Sequence, residues 1–341
     1  MKIKSITTEL LTLPLKTPFV TALRRVENVE FVRVKIMTQN GFVAYGEAPA
    51  TKAITNEGLE DIVASIEKVK ALMSTKAPKE ALIFLHERKD IGSSAKAALD
   101  MACLSLLAQE QGVPLYRYLG AKESVILESD ITISLNALEM MLHDAKEAFD
   151  AGMQILKIKL GNDIHHAVAV VRALAKELPK ASLLIDANQA WSVEESLFFI
   201  EALKAYTIEL IEQPVLAKDL DGLKQITQAS SVAILADEAV FTLEDVIRVH
   251  QNGCADMINI KLMKCGGVTQ AVEILNYARA HGIKCMLGSM LEGPLSINAA
   301  LHLAIAYKDV IAFLDLDSPL LYKEASDELE FVYNASQIVL K

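Results

Sequence analysis

Eight short apolar runs recur between residues 131 and 317, each followed by a longer amphipathic stretch. They are ITISL (131–135), ILKIKL (155–160), SLLIDA (182–187), IELIEQP (208–214), VAILADE (232–238), MINIKL (257–262), KCMLGS (284–289) and IAFLDLD (311–317). Parallel strands buried on both faces read as nearly continuous apolar segments, so this alternation predicts a (β/α)-barrel. The polar residues closing the second to sixth runs are Lys159, Asp186, Glu212, Asp237 and Lys261, separated by 27, 26, 25 and 24 residues. Each interval accommodates one strand, one helix and two loops. Because the C-terminal ends of barrel strands open onto one face, five charged side chains are expected in one cup.

The preceding residues have a different character. Lys2–Leu13, Glu30–Thr38 and Gly41–Glu47 are rich in β-formers, and Gln39-Asn40-Gly41 supplies a hairpin turn. Helical patterns follow at about Glu57–Met73, Pro78–His86 and Ser93–Gln111, the last closed by Gly112 and Pro114. The expected division is an α+β capping domain over residues 1–124, a barrel over 125–317, and a C-terminal segment, 318–341, returning to the capping domain. A chain of 341 residues with 52% hydrophobic side chains can bury cores of this size. Its net charge of −10, without a local basic patch, argues against nucleic acid or an anionic membrane as partner. Cys103, Cys254, Cys265 and Cys285 show no Cys-x-x-Cys spacing, and Glu9 interrupts any apolar leader. Both features point to a reducing, cytoplasmic setting.

Three carboxylates converging in a confined cup repel one another unless a cation neutralises them. Any single acid at a strand end is better read as a helix N-cap or a surface charge, but Asp186, Glu212 and Asp237 in register favour a metal site. Oxygen-only ligands on rigid strands favour Mg²⁺ over Zn²⁺. Lys159 and Lys261 flank the series and would face each other across a bound substrate, which suits removal of a proton from one face of a carbon and its return on the other. Lys157 lies one pleat before Lys159 on the same side, either tuning it or pairing with the carboxylates, and is counted among the residues expected to bind substrate. The set fits carbon-acid chemistry beside a carboxylate, with the metal offsetting the charge of an enolate. A phosphate-binding G-x-x-x-x-G-K-[ST] loop is absent.

KIKLG with Lys157 and Lys159, IDANQAW with Asp186, IEQP with Glu212, ADE with Asp237 and NIKLMKCGG with Lys261 together resemble the enolase superfamily, and within it the muconate-lactonizing-enzyme subgroup. The resemblance spans the chain; Ala239 departs from the serine common after the ADE triplet. It implies a modified (β/α)7β TIM-type barrel with an N-terminal α+β capping domain, Lys159 and Lys261 as paired bases, and Asp186, Glu212 and Asp237 as ligands of one Mg²⁺. The subgroup contains cycloisomerases, o-succinylbenzoate synthases, N-acylamino acid racemases and dipeptide epimerases, so specificity must come from other residues. Asp315 and Asp317, at i and i+2 of the eighth run, could bind a substrate ammonium group and look like the D-x-D feature of dipeptide epimerases. Arg24, in the loop 21–25, is a natural partner for a side-chain carboxylate, and Ile54, in the loop 53–56, could close over the substrate. Ser289 could line the pocket or merely cap a helix. The resemblance thus implies epimerisation at the C-terminal residue of a dipeptide, with L-Ala-D/L-Glu as the expected substrate, in murein peptide recycling by a homo-oligomer.

Overall fold

The computed structural model describes residues 1–21 and 25–341. Three strands open the chain, β1 (Ile3–Val20), β2 (Arg25–Thr38) and β3 (Val43–Pro49), forming an antiparallel sheet in that order. Gly41 turns β2 into β3 at φ 86°, a backbone region that glycine enters without steric cost. Helices Leu59–Met73, Pro78–Glu87 and Ser93–Glu110 follow, close to the segments expected from the sequence. The last of them is buried on most of its circumference, since Ala95, Ala97, Ala98 and Ala102 let it approach its neighbours closely.

After the short strand β4 (Leu127–Glu128), eight strands form one parallel sheet: β5 (Ile131–Ile133), β6 (Ile155–Lys159), β7 (Ser182–Asp186), β8 (Leu210–Glu212), β9 (Ala233–Ala236), β10 (Met257–Lys261), β11 (Lys284–Gly288) and β12 (Ile311–Asp315). Every expected run contains one of them. Pairing runs in chain order from β5 to β12, and helices alternate with the strands. Helix starts are set by local capping. Asp163 accepts from His165 N and His166 N, Asp219 accepts from Gly222 N, and Ser192 and Thr242 form reciprocal capping boxes with Glu195 and Asp245.

The edges β5 and β12 meet across a seam outside the regular ladder. Asp130 N donates to Leu314 O at 3.0 Å, Leu316 N donates to Ser129 Oγ at 3.0 Å, and Thr132 N donates to Asp317 Oδ2 at 2.7 Å. A carboxylate therefore does the work of a backbone carbonyl where the barrel closes.

The capping elements are fastened to the barrel by buried polar contacts. Arg33 on β2 pairs with Glu47 on β3 at 2.6 Å, and Glu47 Oε2 accepts from Leu295 N at 2.9 Å in the first turn of helix Pro294–Ala306. Asp100 accepts from Thr269 N at 3.2 Å and contacts His86 Nε2 at 2.8 Å. Leu135 N donates to Val20 O at 3.1 Å, carrying the end of β1 over the barrel mouth. Beyond residue 318 the chain packs Tyr322 against Leu15, Val29 and Phe31, and then forms a hairpin, β13 (Phe331–Asn334) and β14 (Gln337–Leu340), whose second strand pairs with β4. That three-stranded sheet was not foreseen from the sequence, because its strands are only two to four residues long and carry little periodicity. All four cysteines are free, and among the described residues no helix is long and apolar enough to cross a membrane.

Candidate active site

Lys159, Asp186, Glu212 and Lys261 are the last residues of β6, β7, β8 and β10, and Asp237 directly follows β9. The register sets Lys159 beside Asp186 and Asp186 beside Glu212 on neighbouring strands. All five are buried, as isolated charges seldom are. Two ion pairs join four of them. Lys159 Nζ lies 2.5 Å from Asp186 Oδ2, and Lys261 Nζ lies 2.8 Å from Asp237 Oδ2. The two lysines stand four strands apart in an eight-stranded wall, hence on opposite sides of the mouth. Gly288 makes room for one of them, since a Cβ there would lie 3.1 Å from Lys261 Cε and 2.7 Å from Asn259 Oδ1.

Lys159, Lys261, Asp237, Asp315, Asp317, Ser289 and Ile54 line a single cleft, together with Phe19 and Thr21 from the end of β1 and its following loop. Ile54 comes from the short helix Lys52–Thr55, which Glu57 anchors by accepting from Ser94 N at 2.8 Å and Ala95 N at 3.3 Å. Ser289 caps no helix; its Oγ and its N–H both donate to Asp315 O, tying β11 to β12. Arg24 lies outside the described residues.

Lys157 requires a correction as a substrate-binding residue. It is fully buried below the cleft, with Nζ 2.6 Å from Asp315, 2.7 Å from Glu212 and 3.4 Å from Asp186. Its pairing role prevails because three carboxylates occupy its ammonium group before any ligand can. Burial opposes its charge, yet Asp315, Glu212 and Asp186 hold its pKa well above the ordinary lysine value.

Four residues of the site were missed in the sequence. Lys264, three residues past Lys261, reaches back to Asp237 Oδ1 at 2.5 Å and to the carbonyl oxygens of Asp237 and Asn259 at 2.6 and 2.9 Å. Asn259 donates through Nδ2 to Glu212 Oε1 at 2.7 Å. Asn188 uses its backbone N–H on Asp186 Oδ1 at 2.9 Å and its amide on Glu238 Oε1 at 3.4 Å. Glu238 lines the cleft beside Asp237 although strand alternation would send it to the other face. The chain has left β9 by then, and Gln213 Oε1 accepts from both Asp237 N and Ala239 N at 3.0 Å, gathering the turn. Asn188, Gln189 and Gln213 all adopt positive φ, at 43°, 66° and 36°. Such backbone strain concentrates at functional sites, and the IDANQ and IEQP motifs are its sequence trace.

Electrostatically the site lacks positive charge. Lys157, Lys159, Lys261 and Lys264 face seven buried carboxylates, Asp130, Asp186, Glu212, Asp237, Glu238, Asp315 and Asp317. Burial and the neighbouring Asp186 push Glu212 up to about 7, and burial with Asp237 pushes Glu238 up to about 8. Burial also opposes ionisation of Asp237, but Lys261 and Lys264 hold it far below the usual range. Buried oxygens at Glu212 Oε2, Glu238 Oε2, Asn188 Oδ1 and Asn259 Oδ1 accept no hydrogen bond from the described residues, although Glu212 Oε2 is within ion-pair distance of Lys157. An oxygen-only set with unsatisfied acceptors and a deficit of positive charge fits a hard divalent cation. A second acidic group, Asp130, Asp315 and Asp317, has oxygens within 4.8 Å of one another at the β5–β12 seam and is distinct from the strand-end series.

Comparison with known proteins agrees with this geometry. Residues 5–120 match the mandelate racemase / muconate lactonizing enzyme N-terminal domain, and residues 140–339 match the enolase C-terminal domain-like family. The chain is 59% identical to an L-amino acid-D/L-Glu epimerase of Sulfurimonas denitrificans, over 99% of each sequence. It superposes on a substrate-liganded L-Ala-D/L-Glu epimerase from Bacillus subtilis with a TM-score of 0.96 at 40% identity, covering 100% of this chain and 97% of that one. A dipeptide epimerase from Enterococcus faecalis V583, complexed with Mg and L-Leu-L-Tyr, gives a TM-score of 0.94 at 34% identity over 100% and 98% of the two chains. The chain therefore belongs to the mandelate racemase / muconate lactonizing enzyme family, with a catalytic barrel of the enolase type.

Proposed function

We propose that this protein is a Mg²⁺-dependent dipeptide epimerase that inverts the α-carbon of the C-terminal residue, with L-Ala-D/L-Glu as the favoured substrate. The observation that carries the reading is the disposition of Lys159 and Lys261 on opposite sides of one cleft, with Asp186, Glu212 and Asp237 on the strands between them. The solved relatives complexed with Mg and dipeptides support it. Asp186, Glu212 and Asp237 would hold the ion, with Asn188, Glu238 and Asn259 packed around them. When bound, the ion supplies positive charge opposite the substrate carboxylate as the α-carbon loses its proton.

The chain's own residues account for the rest. One lysine accepts the α-proton as a neutral amine while the other, as an ammonium, donates a proton to the opposite face, so the two exchange roles between the forward and reverse reactions. Lys264 and Gln213 fix the Asp237 turn, and Lys157 holds Glu212 and Asp315 from below. Asp315 and Asp317 would receive the substrate's α-ammonium group, each already having one oxygen committed to the protein, to Lys157 and to Thr132 N respectively. That pair favours a free amine over an N-acyl substrate, whose amide carries no positive charge to offer it. Arg24 is proposed to meet the carboxylate of the second residue, which is the basis for preferring glutamate. A homo-oligomeric cytoplasmic enzyme of murein peptide recycling is the setting that suits this substrate.

The test is incubation with L-Ala-L-Glu and a small dipeptide panel in D₂O with Mg²⁺, followed by mass and chiral analysis. Deuterium at the C-terminal α-carbon with formation of the epimer is expected. Exchange with no dipeptide, together with turnover of a muconate-type or N-acyl acid, would overturn the reading.

A further inference from the structure

Behind the two acids that face the cleft stands a third that nothing in the mechanism so far employs. Asp130 immediately precedes β5, and its backbone N–H is bonded to Leu314 O, so it belongs to the same seam as Asp315 and Asp317. Its carboxylate is fully buried, and neither Oδ1 nor Oδ2 has a hydrogen-bond partner among the described residues. Its oxygens lie within 4.8 Å of those of Asp315 and Asp317, so the unpartnered group is turned into the acidic cluster rather than away from it.

The groups around Asp130 settle what the cluster can accept. Asp315 and Asp317 face it from the end of β12, Glu212 from β8 and Lys157 from β6, with the Tyr333 phenol on β13 beside the trio. Among these, Lys157 is the cation, and it is shared with Glu212 and Asp186 outside the trio. Lys159 and Lys261 also act on Asp315 but are bonded to Asp186 and Asp237, and three carboxylates so short of positive charge form a stable dry cluster only if one keeps a proton or a cation enters. The side open to a visitor is the cleft, which Asp315 and Asp317 line and Asp130 does not.

We propose that Asp130 is a positioning residue of the ammonium subsite, supplying through Asp315 and Asp317 the additional negative charge that selects a primary ammonium group over an uncharged N-acyl group. The inference rests on the dipeptide reading given above. On this proposal the proton that the crowded trio must keep sits on Asp130, whose carboxyl burial and the two neighbouring aspartates push well above the usual range. When a substrate ammonium seats on Asp315 and Asp317, the Asp130 O–H bond breaks, its proton leaves to solvent, and the carboxylate remains as partner to the new cation. Nothing is oxidised or reduced.

The test uses the full chain loaded with Mg²⁺ and the near-isosteric variant Asp130→Asn, which removes the ionisable group and leaves volume and polarity in place. Epimerisation kinetics on L-Ala-L-Glu should show KM raised by about tenfold, the scale of one lost charge-assisted contact, with kcat nearly unchanged. Discrimination against the N-acetylated dipeptide should fall with it. Calorimetric titration of wild type near pH 7, in two buffers of different ionisation enthalpy, should register proton release on dipeptide binding that D130N lacks. A variant with wild-type KM and the same proton count overturns the role of Asp130 while leaving the dipeptide reading intact. Should D130N not fold, wild type decides alone, because dipeptide binding without proton release refutes the inference. Wild type inert toward every dipeptide refutes both readings together.

Discussion

Lys157→Met removes a buried charge shared by three carboxylates while keeping the volume and the straight-chain shape of the side chain. In wild type its ammonium group, with no exposure to solvent, stands 2.6 Å from Asp315, 2.7 Å from Glu212 and 3.4 Å from Asp186. Removing one partner of a buried ion pair typically costs about 3–5 kcal/mol, because the surviving charge is left unpaired in a dry environment. Three carboxylates lose a partner here, while Asp186 keeps Lys159 and Glu212 keeps Asn259, so the middle of that range is expected. The sign of the pH dependence follows from the directions of the shifts. Lys157 has a folded pKa above its unfolded value, so its contribution is complete at neutral pH and is lost only as pH rises through the folded value. Asp315 and Asp186 are held below their ordinary range, in spite of burial, chiefly by Lys157 and Lys159 respectively. Without Lys157 they become easier to protonate, and protonation relieves the uncompensated charge. Urea denaturation of metal-free protein should therefore give a loss of about 4 kcal/mol near pH 8 that shrinks toward pH 5. A loss below about 1 kcal/mol near pH 8, or one that grows as pH falls, would refute the assignment of Lys157 as the buried counter-charge.

Other perturbations separate the remaining parts of the account. Asp317→Asn keeps an acceptor for Thr132 N and should leave the fold intact while raising the dipeptide KM by about tenfold or more, read by steady-state kinetics. Glu292, fully buried and bonded to Ser296 Oγ and Met290 N, is pushed up to about 7 by burial, so wild type loses stability as pH rises from about 5 to about 8. Glu292→Gln should flatten that slope by about 3 kcal/mol across the interval in paired denaturation curves. Glu57→Ala removes two backbone hydrogen bonds and a long one from Ser93 Oγ at the start of helix Ser93–Glu110 and should cost about 1–2 kcal/mol in denaturation. It should also raise KM without lowering kcat, since Ile54 loses its anchor and the lysines do not.

Periodicity carried most of the barrel. Strands buried on both faces leave an unmistakable run of apolar residues, which is why all eight were legible together with the charged residue closing each of β6, β7, β8 and β10. Asp163 and Asp219, equally acidic and close after a strand, are helix caps, as a lone acid there usually is. What separated them from Asp186, Glu212 and Asp237 was the recurrence interval. Alternation failed where the chain had already left the strand, so Glu238 was passed over. Lys264 was invisible because its reach back to Asp237 depends on the short helix Leu262–Cys265 that follows β10. The seam was illegible for a related reason, because Asp130 and Asp317 meet through the closure of a barrel whose ends lie 187 residues apart in sequence.

The central claim is that Lys159 and Lys261 serve opposite faces of one carbon. It is tested most directly by incubating Lys159→Ala and Lys261→Ala separately with the L,L and L,D dipeptides in D₂O and following α-deuteration by mass spectrometry. Each variant should have lost epimerisation, and any surviving exchange should fall on one epimer in the first variant and on the other epimer in the second. Epimerisation at the wild-type rate in either variant, or exchange of the same epimer by both, would contradict it.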